Sequence, residues 1–262
     1  MNSSASIILA AGEGTRMKSD LPKVLHQVSG KPMIEWVLDT VLKAGYKENY
    51  VIVGYKKEKV IEALNKSGYN NGIIFIEQKE RLGSGHAVLQ AKKYLKDSDK
   101  DVLVTCADVP LLSTGTLNCL MKTHLKEGND ATVLTADIDN SFGYGRIIKE
   151  NGTVRIVEER DATAQERAVK KINTGIYCFK SGELFEALEK VTQHNSKNEY
   201  YLTDVFKILS EEGKKTGIAT TANYRETAGV NTVEQLKEAE KYLEELSKSR
   251  RHTTLVDRID GG

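Results

Sequence analysis

From Ser6 to Pro110 the chain alternates short apolar runs with longer segments of helical period. The runs are Ile7–Ala11, Tyr50–Val53, Ile73–Ile76 and Asp101–Asp108. Between them Ile34, Val37, Leu38, Val41 and Leu42 recur at three-four spacing, then Val60, Ile61 and Leu64, then Val88, Ala91 and Leu95. Runs this short suit buried strands, and three-four spacing puts apolar side chains on one helix face. Their alternation predicts an α/β fold: a mostly parallel sheet with helices on both faces. Ligands of such sheets bind beyond the carboxyl ends of the strands.

The first run breaks at Gly12-Glu-Gly14, where glycine permits positive φ and close backbone approach to a ligand. Arg16 and Lys23 follow. A strand, a glycine turn and two cations make a triphosphate cradle, with amides along the phosphates and cations neutralising them. The third run leads into Gln78 and then Leu82-Gly-Ser-Gly-His-Ala87. Gly83 and Gly85 again allow close approach, Ser84 is expected to cap the next helix, and Gln78 has the donor and acceptor to meet a nucleobase edge. His86 is read as structural. The fourth run ends at Asp108, the best candidate for a metal ligand. Magnesium takes hard oxygens and often only one or two protein ligands; the competing reading is a turn cap before Pro110. The next helix carries Leu117, Leu120, Met121 and, near its end, His124, which is expected to be exposed.

From about Asp130 the pattern shifts to short strands and turns, read as an antiparallel excursion over about 130–200. Gly143, Glu158 and Asn173 lie there as candidate sugar contacts. Ser181 is expected to cap a helix, as is Thr232, with Gln235 completing a capping box. Leu236, Ala239, Leu243 and Leu246 form a packing seam, a route to a homo-oligomer through this last helix. The folded domain is expected to span 1–248, with 249–262 a loosely ordered tail.

The 262 residues carry 38 Lys+Arg against 37 Asp+Glu, evenly spread, so no global field points to nucleic acid or a membrane surface. The three cysteines lack C-x-x-C spacing, and Cys106 and Cys178 read as small buried thiols. The first apolar run is too short for a signal peptide or a span, so a cytoplasmic location is expected.

Leu9-Ala-Ala-Gly-Glu-Gly-Thr-Arg-Met17 with Pro22-Lys23 resembles the signature of the sugar-phosphate nucleotidyltransferases. Adding Leu82–Ala87, Asp108-Val-Pro-Leu111, Gly143-Tyr-Gly-Arg-Ile147, Ile156-Val-Glu158, Ile172-Asn-Thr-Gly175, Glu199–Asp204 and Gly229-Val-Asn231, the ordered set over about 5–240 is similar to the uridyltransferase domain of the GlmU family. The resemblance implies a Rossmann-like nucleotidyltransferase fold. It implies transfer of uridylate from UTP to N-acetylglucosamine 1-phosphate, with magnesium. Leu9, Ala10, Ala11 and Gly12, with Gln78, Gly83 and Ser84, would hold uridine, with Gly14 beside them in the nucleotide turn. Arg16 and Lys23 would grip the triphosphate as the catalytic cations, and Asp108 and Asn231 would hold the metal. Gly143, Glu158, Asn173 and Thr203 would take the sugar phosphate. Asn231 alone reads as a helix-entry residue; its ligand role comes from the resemblance. Ala107 stands where the family usually has glycine, so a tighter approach to the nucleotide is expected there. No hexapeptide repeat of the family's acetyltransferase half follows Lys248, so the chain is a one-domain relative or a truncated one. Two rivals stand beside this reading: a nucleotidyltransferase of the same fold for another substrate, and a silent nucleotide-sugar-binding domain.

Overall fold

A computed structural model describes residues 4–69, 71–150 and 152–259. β1 (Ala5–Ala10) passes through two 3-10 turns, Thr15–Met17 and Lys23–Leu25, to a hairpin of β2 (Gln27–Val28) and β3 (Lys31–Pro32), then α1 (Met33–Lys43). β4 (Glu48–Val53), α2 (Lys57–Lys66), β5 (Ile73–Glu77), α3 (Ser84–Leu89), α4 (Lys92–Leu95) and β6 (Asp101–Cys106) follow. After α5 (Thr114–Glu127) come β7 (Ala131–Asp137), β8 (Arg146–Glu150), β9 (Thr153–Val157), α6 (Ala164–Arg167) and β10 (Lys171–Lys180). The chain continues through α7 (Ser181–Leu188), α8 (Asp204–Glu211), β11 (Thr216–Thr220), a 3-10 turn at Tyr224–Thr227 and α9 (Val233–Ile259).

The main sheet runs β11-β7-β10-β6-β1-β4-β5. Its β6, β1, β4 and β5 are mutually parallel, as is the β7–β11 pair, while β10 is antiparallel to both its neighbours. The antiparallel excursion is therefore smaller than the sequence pattern suggests. β7 and β10 complete the main sheet, and only the β8–β9 hairpin leaves it, held to β10 at Ile172–Arg146. The β7–β10 register shifts between Asn173 and Tyr177, with Gly175 at φ 77°. That irregularity begins directly after Asn173, which still pairs with Thr135 as the last regular residue before it.

Alternate residues of the central strands feed two cores. Ile7, Ile52, Val102 and Val104 pack with α3, α4, α7 and α8; Ile8, Val51, Val53 and Leu103 pack with α1, α2 and α5. Covered on both faces, these strands read as continuous apolar runs. Ile7 and Ile8 are each fully buried, and truncating either to Ala would cost about 2–5 kcal/mol. A smaller cluster joins the β2–β3 hairpin and α1 to the start of α9: Val28, Met33, Val230 and Ala239, with Trp36, Leu236 and Leu243. The α9 seam is thus engaged within the chain.

Several local expectations need correction. His124 is 1% exposed, its Nδ1 2.9 Å from Thr132 Oγ1 and its Nε2 3.2 Å from Asp101 Oδ1. Two polar partners on the strand starts let the last turn of α5 bury the ring. Ser84 and Ser181 are first helical residues, not caps. The Ser84 hydroxyl accepts from Leu202 N at 3.1 Å, and Ser181 donates to Leu95 O. Apart from these corrections, the helical backbone of α9 runs on to Ile259, where no period is visible in the sequence, and residues 260–262 lie outside those described. An apolar stripe reports packing rather than helix formation, so its absence does not exclude a helix.

Candidate active site

The carboxyl ends of β1 and β6 form the floor of the site, and the turns after them bring cations and oxygens together. Gly14 has φ 70°, and a Cβ there would run into Lys23 Cβ, so this glycine lets the lysine lie against the turn. Gly12 has open space around the corresponding position and no positive φ, so the left-handed conformation expected at both glycines is found at one. Lys23 Nζ donates to Asp108 Oδ2 and, at 3.0 Å, to Asn231 Oδ1. Arg16 Nη2 donates to the same Asn231 oxygen at 2.8 Å. The Lys23 and Asp108 side chains are each 15% exposed, so their attraction is screened less than on an open surface.

Asn231 is fixed on several sides. Its Nδ2 donates to Gly229 O at 3.2 Å, which aims Oδ1 at the cations; Val230 N donates to Asp108 O at 2.8 Å, tying the two loops together. Two hard oxygens from strand end and helix entry thus lie within reach of one ammonium. The Lys23 ammonium acts here as a stand-in for a small cation, and a carboxylate with an amide oxygen fits magnesium's preference for oxygen ligands.

Beside this cluster lies a cleft of about 450 Å³ walled by Leu9, Ala10, Ala11 and Gly12 on one side and Gln78, Gly83 and Ser84 on the other. Lys23, Asp108 and Cys106 complete its floor. The protein around the Cys106 sulfur, with Asp108 close by, pushes its thiol up to about 12, so it lines the cleft as a neutral group. Ala107 is fully buried in the core against α1 and α5. Its methyl is taken up by packing. Gln78 is buried, and Nε2 lies 3.1 Å from both Gly83 O and His86 Nδ1. Both amide protons are thereby engaged. Among the described residues, Gln78 Oε1 accepts no hydrogen bond, leaving an acceptor in the cleft wall.

The remaining candidates gather across β10 and the start of α8. Thr203 Oγ1 donates to Glu158 Oε1 at 3.2 Å. Burial raises the Glu158 carboxyl above the usual glutamate range, with the Thr203 bond pulling the other way. Asn173 donates to Tyr177 OH at 2.8 Å and accepts from Gly175 N at 3.0 Å, so its amide is held rigidly. Burial raises the Tyr177 phenol well above its usual value, and Glu158 and Cys106 nearby push the same way, linking this group to the cleft floor. Gly143, at φ 85°, is exposed on the loop before β8, its N–H on Glu159 Oε2 at 3.2 Å.

The family described as nucleotidyl transferase matches residues 5–248. The chain belongs to the nucleotidyl transferase family. Among curated relatives, the "Bifunctional protein GlmU" of Bacillus velezensis is 46% identical over 99% of this chain and 56% of that protein. Its namesake in Bacillus subtilis is 43% identical over the same shares. This nucleotidyl transferase chain therefore spans about half the length of the curated relatives it matches. The crystal structure of a UDP-glucose pyrophosphorylase complexed with UDP-glucose shares the fold at TM-score 0.71 and 19% identity, covering 92% of this chain and 98% of that one. No helix among the described residues is long and apolar enough to cross a membrane.

Three residues of this nucleotidyl transferase site escape a sequence reading. Glu13 and Arg81 pair at 3.2 Å across the cleft and both line it; 68 residues apart, they give no local signal. Gln235 is visible only as half of a capping box. Thr232 Oγ1 does accept from Gln235 N at 3.3 Å, but Gln235 Oε1 bypasses the cap residue and accepts from Asn231 N at 2.7 Å.

Proposed function

We propose that the domain transfers uridylate from UTP to N-acetyl-α-glucosamine 1-phosphate, giving UDP-N-acetylglucosamine and pyrophosphate, with magnesium as the cation. The observation that carries this reading is the single ammonium of Lys23 touching both Asp108 and Asn231 at the carboxyl ends of the parallel strands. A sugar-phosphate oxygen forms the new bond to the α-phosphorus as the bond to the bridging oxygen of pyrophosphate breaks. The attacking oxygen is already anionic, so no general base is needed; the requirement is to hold two polyanions in line.

Each residue group has a part in that task. Arg16 and Lys23 move onto the triphosphate and neutralise charge growing on the leaving pyrophosphate. Asp108 and Asn231 would hold magnesium, which when bound offsets phosphate repulsion and polarises the α-phosphate. The backbone from Leu9 to Gly12 lines the nucleotide, with Gly14 keeping Lys23 in place. Gln78 Oε1 accepts from uracil N3–H, whereas cytosine presents an acceptor at N3 and would leave two lone pairs opposed. Glu158 and Asn173 meet the sugar's hydroxyl and amide groups, with Thr203 orienting Glu158 and Gly143 offering backbone to the sugar.

The test is a pyrophosphate-release assay over the four nucleoside triphosphates and a panel of sugar 1-phosphates. UTP with N-acetylglucosamine 1-phosphate is the expected best pair, and activity should vanish in excess chelator. Equal use of several bases, or an unacetylated hexose 1-phosphate as the best acceptor, would overturn the assignment.

A further inference from the structure

In an ordinary capping box the third helical residue reaches back to the backbone N–H of the cap residue. α9 begins with Thr232 as cap, and the Thr232 hydroxyl makes its half of the box by accepting from Gln235 N. The reciprocal half is displaced by one residue: Gln235 Oε1 takes Asn231 N at 2.7 Å, shorter than the 3.3 Å cap bond. The side chain that would stabilise the helix end thus grips the residue whose amide faces Lys23 and Arg16.

The grip holds Asn231 from the one side, the helix side, that its other contacts leave unanchored. Its side-chain Nδ2 is fixed to Gly229 O, and the preceding Val230 N to Asp108 O. Those two bonds anchor the chain before Asn231; Gln235 anchors it from the helix side. With all three in place, Oδ1 keeps a single direction. Leu236, the neighbour of Gln235, packs in the cluster that holds the β2–β3 hairpin and Trp36, so α9 is a rigid base for the grip.

We propose that Gln235 is a positioning residue: through the Asn231 backbone N–H it fixes the amide oxygen that, with Asp108, receives the divalent cation. The inference rests on the reading of Asp108 and Asn231 as the cation-binding pair, and the test separates the two. The outer partners of metal ligands commonly set metal affinity by about 10–100-fold.

Binding of Mn²⁺ to the full chain with a nonhydrolysable UTP analogue, followed by electron paramagnetic resonance, reads the site without turnover. Asn231→Ala should lower Mn²⁺ affinity. Gln235→Met, similar in shape without the acceptor, should lower it about tenfold. The double variant should bind no worse than Asn231→Ala alone, because the two act through one oxygen. Gln235→Glu keeps an acceptor and should restore most of the affinity. Thr232→Ala removes the helix cap but not the grip, so it should lower the melting temperature and leave Mn²⁺ affinity unchanged.

Unaltered affinity in Asn231→Ala would remove the cation-pair reading and this inference with it. A normal Asn231→Ala effect with unaltered affinity in Gln235→Met would overturn the positioning role alone. So would additive losses in the double variant, or a loss in Thr232→Ala equal to that in Gln235→Met, since either would mark a general loosening of α9.

Discussion

Lys23 Nζ, on the 3-10 turn after Pro22, is ion-paired with Asp108 Oδ2 at the end of β6, 85 residues later in the chain. The carboxylate is thus paired with the cation that the proposed reaction needs on the triphosphate. On the proposed assignment, a metal at Asp108 would displace the lysine, and the triphosphate would give it a new partner.

Lys23→Met accordingly has opposite effects on two measurements. Mn²⁺ binding to the nucleotide-free protein should tighten, because the competing ammonium is gone. Turnover should fall about 100–1000-fold, as when one preorganised charge-stabilising donor is lost. Titration of free Mn²⁺ and a pyrophosphate-release assay on the same sample check both. Unchanged metal binding would show that Lys23 does not compete for the oxygens.

The two glycines of the first turn should respond differently to alanine. Gly14→Ala forces a side chain into positive φ and against Lys23 Cβ. It should cost about 1–2 kcal/mol of stability and reproduce part of the Lys23→Met defect. Gly12→Ala meets nothing within 4 Å, so its melting temperature should match the parent. Its methyl sits in the nucleotide wall, so KM for UTP should rise. Denaturation curves and KM values separate the two.

Base choice is expected to reside at Gln78. UTP should be preferred over CTP, and Gln78→Leu should lower kcat/KM for UTP by about 10–100-fold while leaving CTP nearly unaffected. Competition between the two nucleotides at subsaturating concentration measures the ratio. A ratio unmoved by Gln78→Leu would place discrimination elsewhere.

Glu158 sets a pH dependence of stability. Burial raises its folded-state pKa above the unfolded value. Its favourable contribution is complete at low pH and is lost as pH rises through the folded value. Glu158→Gln removes the ionisable group, so its melting temperature should gain on the parent as pH rises from the ordinary glutamate range, then level off. The same variant should lose affinity for the sugar phosphate. Thermal melts across about pH 4 to 8 check the first effect; a constant difference across that range would assign no role to the carboxyl's ionisation.

Much of the site is legible where function coincides with a break in a local pattern. Asp108 ends an apolar run, Gly14 interrupts another, and Gln78 follows a third, so period and composition expose them. Asn231 and Gln235 are different. Asn231 meets Arg16 and Lys23, and no spacing within the chain reports a contact over more than a hundred residues. Gln235 shows as half of a capping box, but the spacing does not reveal that its oxygen takes Asn231 N instead of the cap. The antiparallel direction of β10 agrees with the pattern over about 130–200; what that pattern does not show is that β10 lies inside the main sheet, between β6 and β7. His124 departs from expectation because its partners Asp101 and Thr132 come from other elements, whereas in sequence a polar residue at a helix end reads as solvated.

Gly83 and Gly85 lie directly on the backbone of Tyr200. A Cβ on Gly83 would stand 2.6 Å from Tyr200 O, and Gly85 N donates to that oxygen at 2.8 Å. Tyr200 N reaches back to Leu82 O at 2.8 Å, and Ser84 receives Leu202 N. The loop beside Gln78 and the segment leading to Thr203 are thus one laced unit. Exchanging either stretch alone with that of a relative would unlace it, so on the proposed assignment a change of base and a change of sugar are mechanically coupled.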